Sequence, residues 1–245
     1  MGTRNLTCVI KDGEYRIAQY CQWDGYPEGQ GSTILKFLQN KMDRKKFETA
    51  LKYTQWITEE EHTKLWESFG ADGSGFVDMT IADAFKEVHP QLDRDMGAGV
   101  LEFVQESDID FPIVLQDSVD FAKDGLFCEW VYVIDLDNDK LEVYGGYNEK
   151  EVQGASRFGA DMVDEDTTPA NANAVYDLND LPTQEQFEKD LAEPCEDELE
   201  KADVDIFLHE MLSTLVKEDQ LEMSLHVANY IQANMDDFLE AINEE

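Results

Sequence analysis

Residues 4–22 read RNLTCVIKDGEYRIAQYCQ, and this stretch decides the fold because it predicts a β-hairpin at the start of the chain. Two half-apolar runs flank Asp12-Gly13, a pair that favours a two-residue type I′ turn. The matching register places Lys11 opposite Glu14 and Cys8 opposite Ile17, with Leu6 opposite Gln19. Alternation along both strands then predicts one shared face for the side chains of Arg4, Leu6, Cys8, Ile17, Gln19, Cys21 and Trp23.

A second hairpin is predicted at residues 128–147, CEWVYVIDLDNDKLEVYGGY. Its turn is expected at Asn138-Asp139, which places Asp135 opposite Glu142. Because like charges repel when they lie directly opposite, we expect this pair on a solvated outer face. The other face is predicted to be apolar and carries Trp130, Tyr132, Ile134, Leu136, Leu141 and Val143.

Helical patterns separate and follow the two hairpins. Thr58 followed by Glu61 forms a capping box, and Thr80 is expected to begin a shorter helix. These patterns predict a helical insertion over about residues 32–106, and from Thr183 onward the pattern is helical and strongly acidic. We therefore expect an α+β fold: an antiparallel sheet built from two β-hairpins, a helical insertion and a C-terminal acidic helical hairpin.

Charge is the strongest compositional signal. The chain has 55 acidic residues against 19 Lys and Arg, a net charge of −36. Residues 1–50 carry +2, whereas residues 101–245 carry −32. Such a field repels nucleic acid and anionic membranes and attracts cations or basic proteins. Three explanations stay open: solubility alone, a halophilic origin, or a nucleic-acid mimic whose carboxylates take phosphate-like positions.

Targeting signals and cysteine spacing indicate where the protein is located and whether its cysteines bind metal. No apolar run reaches the roughly 18–20 residues of a membrane span, and the N-terminus has no signal-peptide pattern, so we expect a soluble cytoplasmic protein. The cysteines form no CxxC pair and the histidines stand singly, which argues against structural zinc. We expect free thiols in a reducing compartment at Cys8, Cys21, Cys128 and Cys195.

One loop resembles an EF-hand without matching it. Asp72, Ser74 and Asp78 stand at the third, fifth and ninth positions of such a loop. Gly70 and Ile81 occupy the first and twelfth positions, where Asp and a bidentate Glu are needed. We therefore predict a helix-to-helix turn here, with neither a metal ion nor a cofactor bound.

The best candidate for a ligand site is the exit of the first hairpin, YCQWDGYPEGQG at residues 20–31. Arg4, Gln19, Trp23, Asp24 and Tyr26 would combine aromatic surface, one cation and polar acceptors there. Such a set could hold a nucleotide-like or anionic ligand by stacking and bidentate contact. The alternative is structural, with Trp23 and Tyr26 fixing the loop onto the next helix and Arg4 pairing with Asp24.

An N-terminal-nucleophile hydrolase is a further alternative, because such enzymes also begin with a strand and hairpin. Removal of Met1 would expose Gly2, which has no nucleophile. Thr3 or Cys8 would serve only after further trimming of the chain.

The opening run MGTRNLTCVIKDGEYRIAQYCQWDGYPEGQG resembles that of a family of uncharacterised proteins found in bacteria, phages and fungi. LFCEWVYVIDLDNDKLEVYGGY and YDLNDLPTQEQF are also similar, so the resemblance covers roughly residues 1–188. It implies a core domain over residues 1–188, an acidic helical extension over residues 189–245, and a phage or mobile-element source. The family has no established activity, so no catalytic residue carries over.

These observations lead to two expectations. The first is a non-enzymatic, strongly acidic binding protein that engages a basic protein partner, as a nucleic-acid mimic does, without binding nucleic acid itself. The second is a small-molecule or nucleotide site, in one version hydrolytic, at the hairpin exit around Arg4 and Trp23.

Overall fold

The computed structural model describes residues 2–72, 77–107, 110, 112–145, 157–158 and 170–192. Its strands are β1 (Asn5–Lys11), β2 (Glu14–Cys21), β3 (Thr54–Trp56), β4 (Ile113–Leu115), β5 (Trp130–Asp135), β6 (Lys140–Gly145) and β7 (Asn171–Asp177). Its α-helices are α1 (Ser32–Lys36), α2 (Arg44–Ala50), α3 (Glu59–Ser68), α4 (Met79–Val88), α5 (Gly99–Gln105) and α6 (Gln184–Leu191). π-Helical turns at Pro27–Gly31 and Phe37–Lys41 flank α1, and short 3₁₀ turns lie at Leu51–Tyr53, Pro90–Leu92 and Val119–Lys123.

Within the described residues the main sheet has five strands in the order β2-β1-β5-β6-β7, and β3 and β4 form a separate parallel pair. The α+β class is therefore confirmed, but the sheet is mixed, because β1 and β5 pair in parallel. The prediction of an antiparallel sheet is wrong at this junction. Hairpin patterns specify only neighbours along the chain, and the long helical connection between β2 and β5 allows parallel pairing of β1 with β5.

The first hairpin forms where it was predicted, but its strands are offset by a bulge. Asp12 and Gly13 both have positive φ, as a type I′ turn requires, and Lys11 lies opposite Glu14. Arg16 is the extra residue, because Val9 pairs with Ile17 while Ile10 pairs with Tyr15. One extra residue moves every following side chain to the other face.

The bulge corrects the predicted face. Cys8 lies opposite Ala18 and Leu6 opposite Tyr20, instead of Ile17 and Gln19. Leu6 and Cys8 therefore belong to one face of the sheet. The other face carries Val9 and Ile17 near the turn, and Asn5, Thr7, Gln19 and Cys21 near the open end.

Two apolar clusters cover the two faces of the sheet. The larger cluster packs α1, α2, α5 and α6 against the face that carries Val9 and Ile17. Phe37 and Phe47 meet edge to face within it, with ring centroids 5.3 Å apart. As predicted, the apolar face of the second hairpin belongs here: Trp130, Tyr132, Ile134, Leu136, Leu141 and Val143. The smaller cluster holds Leu6, Cys8, Val131 and Val133 with the turn at Val119–Lys123.

The predicted solvated face of the second hairpin is wrong. The turn is longer than expected, so Asp135 lies opposite Lys140, and Glu142 lies opposite Val133. Asp135 is only 1% exposed. Both carboxylates bind Arg157, a residue outside the hairpin.

Local signals at helix ends are mostly followed. Thr58 and Glu61 form both bonds of the predicted capping box. Asp78, not Thr80, caps α4, because its carboxylate accepts the Thr80 N–H. The predicted insertion at residues 32–106 contains α1 to α5 but also β3. Helical structure begins before residue 32, at Pro27.

The predicted acidic extension covers residues 189–245, and its residues 193–245 lie outside the described part of the chain, which ends at Ala192. None of the described helices combines the length and apolarity that crossing a membrane requires.

Candidate functional site

The loop that leaves β2 folds back onto the first residues of the chain. The Gly25 N–H donates to the Thr3 carbonyl at 3.0 Å, and the Gln30 N–H donates to the Asp24 carbonyl at 2.8 Å. Asp24 has a φ of 56°, a left-handed conformation that few non-glycine residues adopt. A Cβ on Gly25 would lie 2.8 Å from the Thr3 carbonyl oxygen, so the close approach of the two backbones requires glycine. The loop therefore has a defined path.

Outside this loop lies an aromatic and cationic surface, named here the exit surface and formed by Arg4, Tyr20, Trp23 and Phe127. The Arg4 guanidinium carbon lies 4.5 Å from the centroid of the Phe127 ring, within cation–π range. The Trp23 ring packs against Gly2, on the side where a Gly2 side chain would stand. Trp23 is 47% exposed and Phe127 is 45% exposed, so the surface offers two rings and a cation to solvent.

The exit surface has both cations and carboxylates close to it: the Glu129 carboxylate accepts the Arg4 backbone N–H at 3.2 Å, and Asp95 is close enough to affect Tyr20. Burial raises the pKa of Tyr20, and the nearby Arg4 and Arg94 oppose that rise. Within the described residues Arg4 forms no ion pair, so the expected Arg4–Asp24 pair is not seen there. Tyr26 is 54% exposed at the start of the π-helical turn. The structure thus leaves Arg4, Trp23 and Tyr26 accessible to a ligand.

Gln19 does not belong to the exit surface, because the bulge turns it to the opposite face. There it forms what we name the inner patch, together with Asn5, Thr7 and Cys21. Thr7 and Gln19 are cross-strand partners, as are Asn5 and Cys21. All four side chains are buried at the open end of the hairpin. The five predicted site residues are thus divided between the two faces of the sheet and the loop.

Hydrogen bonding fixes the two amides of the inner patch. The Asn5 Nδ2 donates to the Trp23 carbonyl at 3.1 Å, and the Gln19 Nε2 donates to the Tyr20 carbonyl at 3.1 Å. Their amide oxygens and the Thr7 hydroxyl have no partner within the described part of the chain. Buried polar atoms are costly unless they are hydrogen-bonded. Sequence reasoning missed this patch, although the alternation of Asn5 and Thr7 along β1 was a signal for it.

The described thiols are not prepared for nucleophilic chemistry. Burial raises the pKa of Cys8, Cys21 and Cys128, which keeps each of them in the protonated, unreactive form at neutral pH. The Cys21 thiol lies 3.3 Å from the Trp23 carbonyl oxygen. Cys8, Cys21 and Cys128 are free, as predicted, and Cys195 lies outside the described residues.

A second polar centre, named here the carboxylate clamp, consists of Asp135, Glu142, Tyr144 and Arg157. Arg157 Nη2 donates to Asp135 Oδ2 and to Glu142 Oε1, each at 2.6 Å, and its Nε donates to Glu142 Oε2 at 2.9 Å. The Tyr144 hydroxyl donates to Glu142 Oε2 at 2.5 Å.

Contacts within the clamp shift the pKa values of Arg157 and Asp135. The hydrogen bonds that Arg157 donates to Glu142 raise the pKa of Arg157 above its ordinary value. Burial works to raise the pKa of Asp135, but hydrogen bonds from Asn138 and Arg157 outweigh it and lower that pKa. The clamp therefore favours the ionised form of the buried Asp135. Sequence reasoning missed the clamp because Arg157 is 15 residues from Glu142 in the chain. The described groups of the clamp are hydrogen-bonded to one another, which favours a structural role.

The EF-hand-like loop is used for helix capping. The Asp78 carboxylate accepts the Thr80 N–H at 2.8 Å, which lowers the pKa of Asp78. Asp72 is among the described residues, whereas residues 73–76, which include Ser74, are not. In the described ranges no three or more His, Cys, Asp or Glu side chains are grouped to hold a metal ion.

No family model, curated protein or solved structure matches the chain. The resemblance of residues 1–188 to a family from bacteria, phages and fungi therefore stays a prediction.

Proposed function

We propose that the protein is a non-enzymatic binding protein that engages a basic protein partner through its excess of carboxylates. One observation carries the proposal: the net charge is −36, and most of the described cationic side chains are already bound to carboxylates of the same chain. Such a surface has few cations left to balance its acids. A partner supplies the missing positive charge.

The ion pairs show how the cations are used. They involve Lys11, Arg16, Lys41, Arg44, Lys46, Lys64, Lys86, Arg94, Lys123, Lys140 and Arg157. Surface pairs of this kind add little stability, usually about 0–1 kcal/mol each. They matter more for the electrostatic field of the protein, because each pair neutralises one Lys or Arg side chain that could otherwise bind an anionic partner. Electrostatic attraction then favours basic proteins and disfavours nucleic acids.

A nucleic-acid mimic is the specific form of this proposal. Carboxylates would occupy the basic groove of a nucleic-acid-binding protein and exclude its normal ligand. The resemblance to proteins of phages supports an inhibitor of that kind, acting in the cytoplasm of a host.

Affinity capture from a lysate tests the proposal. The immobilised full chain should retain basic proteins at low salt and release them at high salt, because screening weakens exposed charge pairs beyond about 10 Å at 0.1 M. Duplex DNA added in solution should displace the captured protein if the protein is a mimic. An immobilised poly-glutamate is the matched control. Retention equal to that control at every salt concentration would refute the proposal.

The exit surface supports a second candidate function, the binding of an anionic ligand such as a nucleotide. The Arg4 guanidinium has no carboxylate partner in the described part of the chain and lies over the Phe127 ring, and the ring of Trp23 is exposed. A planar anion could stack on the ring of Trp23 while Arg4 binds its charge.

Thermal-shift measurements with nucleotides test this candidate. A ligand at one hundred times its dissociation constant should add about 2.7 kcal/mol of stability. The shift should disappear in Arg4→Ala and Trp23→Ala. It should persist in Val175→Ala, which changes an exposed residue on β7. No shift with any nucleotide, or an equal shift in all three variants, would exclude this function for the exit surface.

A further inference from the structure

A groove of about 440 Å³ opens beside α3, next to the β3–β4 pair and the turn at Pro90–Leu92. Six apolar side chains form most of its lining: Trp56, Ile57, Leu65, Leu92, Pro112 and Val114. Trp56 is 39% exposed, so part of its ring is open to contact by a partner. Apolar concavities of this size on a surface commonly bind a ligand or a partner.

The walls of the groove are held in place by the fold. The Ile57 N–H donates to the Leu115 carbonyl at 2.8 Å, which extends the pairing of β3 with β4. On the other side, the rings of Trp66 and Phe85 stack with centroids 3.7 Å apart and join α3 to α4. The groove is therefore present before any partner binds, and a partner would not have to create it.

The surroundings of the groove are acidic. Glu61 lines it, and Glu59 and Glu67 are exposed on the same helix. The two lysines of α3 and α4 are already bound: Lys64 lies 2.5 Å from Glu60, and Lys86 lies 3.4 Å from Asp93. An occupant therefore meets a mostly apolar floor with the Glu61 carboxylate at its edge.

We propose that this groove docks a short segment of the basic partner, in which an apolar side chain fills the groove and flanking Lys or Arg residues pair with the carboxylates of α3. The inference rests on the proposed function and adds its place and its recognition chemistry. Charge selects this occupant over the two nearest alternatives. The alternatives are residues 193–245 of this chain and a second copy of the chain. Residues 193–245 contain sixteen acidic and two basic residues, and a second copy carries −36, so the acidic helix α3 would repel both.

Two synthetic peptides of equal charge separate apolar docking from charge alone. The first has a central Leu-Leu pair flanked on each side by three lysines, and the second has Ser-Ser in place of Leu-Leu. Fluorescence anisotropy with the full chain measures both dissociation constants at two salt concentrations. The Leu peptide should bind at least tenfold more tightly than the Ser peptide, and both should weaken with salt.

Variants locate the binding. Trp56→Ser should reduce the affinity for the Leu peptide to that for the Ser peptide, whereas Val175→Ser, the loss of an exposed apolar side chain on β7, should leave it unchanged. Val114→Thr keeps the shape of the lining and provides a second test if Trp56→Ser does not fold. Glu61→Gln, which keeps a side chain able to form the capping box with Thr58, should weaken both peptides equally.

The possible outcomes distinguish the two proposals. Equal, salt-sensitive binding of both peptides would overturn the groove as the docking site and leave the acidic binding protein standing. Preference for the Leu peptide that survives both Trp56→Ser and Val114→Thr would also overturn it. Cross-linking that places residues 193–245 or a second copy on the groove would do the same. Binding of neither peptide at low salt would count against both proposals.

Discussion

Replacement of Arg157 by methionine should destabilise the fold far more than an ordinary surface substitution. The change removes three hydrogen bonds of the carboxylate clamp, two to Glu142 and one to Asp135. Asp135 is 1% exposed, so it cannot regain water in place of the lost guanidinium. Breaking a buried ion pair from one side typically costs about 3–5 kcal/mol. Because the Arg157 side chain is 29% exposed and Asn138 still donates to Asp135, we expect about 3 kcal/mol.

The stability lost in Arg157→Met should depend on pH and should become smaller as the pH is lowered. The pKa of Asp135 is lowered in the folded state, so its contribution to stability is fully present above the unfolded pKa, near 4, and is lost as the pH falls through the folded value. Without Arg157 that pKa rises, because burial then acts without a cation to oppose it. As the pH falls toward that raised pKa, the variant regains stability by protonation of Asp135, whereas the native chain keeps its Asp135 contribution until the pH falls below about 4. The gap between them should narrow as the pH is lowered from 7 toward about 4.5.

Urea unfolding followed by tryptophan fluorescence measures both effects. Arg16→Met is the matched control, because Arg16 pairs with Glu14 on the surface at 3.0 Å, and loss of that pair should cost about 1 kcal/mol or less. An Arg157→Met variant no less stable than Arg16→Met would show that the clamp does not stabilise the fold. A gap that stays constant or widens toward acid pH would refute the assignment to a buried carboxylate.

Three further substitutions probe the hairpin exit by the same unfolding assay. Gly25→Ala should cost about 1–3 kcal/mol, since its Cβ would lie 2.8 Å from the Thr3 carbonyl oxygen, and an unaltered midpoint would show that the loop can shift. Tyr132→Phe removes the buried bond from the Tyr132 hydroxyl to the Gly25 carbonyl at 2.8 Å and should cost about 1–3 kcal/mol; a neutral result would mean that this carbonyl finds another donor. Thr7→Val should be neutral or stabilising, because the hydroxyl has no partner within the described residues, and a loss above about 1 kcal/mol would show that it is hydrogen-bonded after all.

The parts of the fold that depend on neighbours in the chain could be predicted. The apolar face of the second hairpin, from Trp130 to Val143, followed from alternation alone. The Asp12-Gly13 turn and the capping box at Thr58 followed from local backbone chemistry in the same way. Each of these features is decided within a few residues.

The parts that depend on distant segments could not be predicted. Arg16 is not a glycine, and the sequence around it gives no other sign of a bulge. Its insertion nevertheless moves Gln19 away from Arg4 and divides the predicted site. Asp135 and Glu142 looked like a solvated pair because their cation, Arg157, is fifteen or more residues away. The parallel pairing of β1 with β5 has no local signal at all.

The position of β1 inside the sheet also has a consequence for synthesis on the ribosome. Asn5 pairs with Trp130, so β1 leaves the ribosome long before the strand that completes its second edge. At about 5–20 residues per second, the intervening segment takes roughly 6–25 s to synthesise. During that interval the nascent hairpin exposes the backbone hydrogen-bonding groups of an unpaired strand, a surface to which other chains and chaperones can bind.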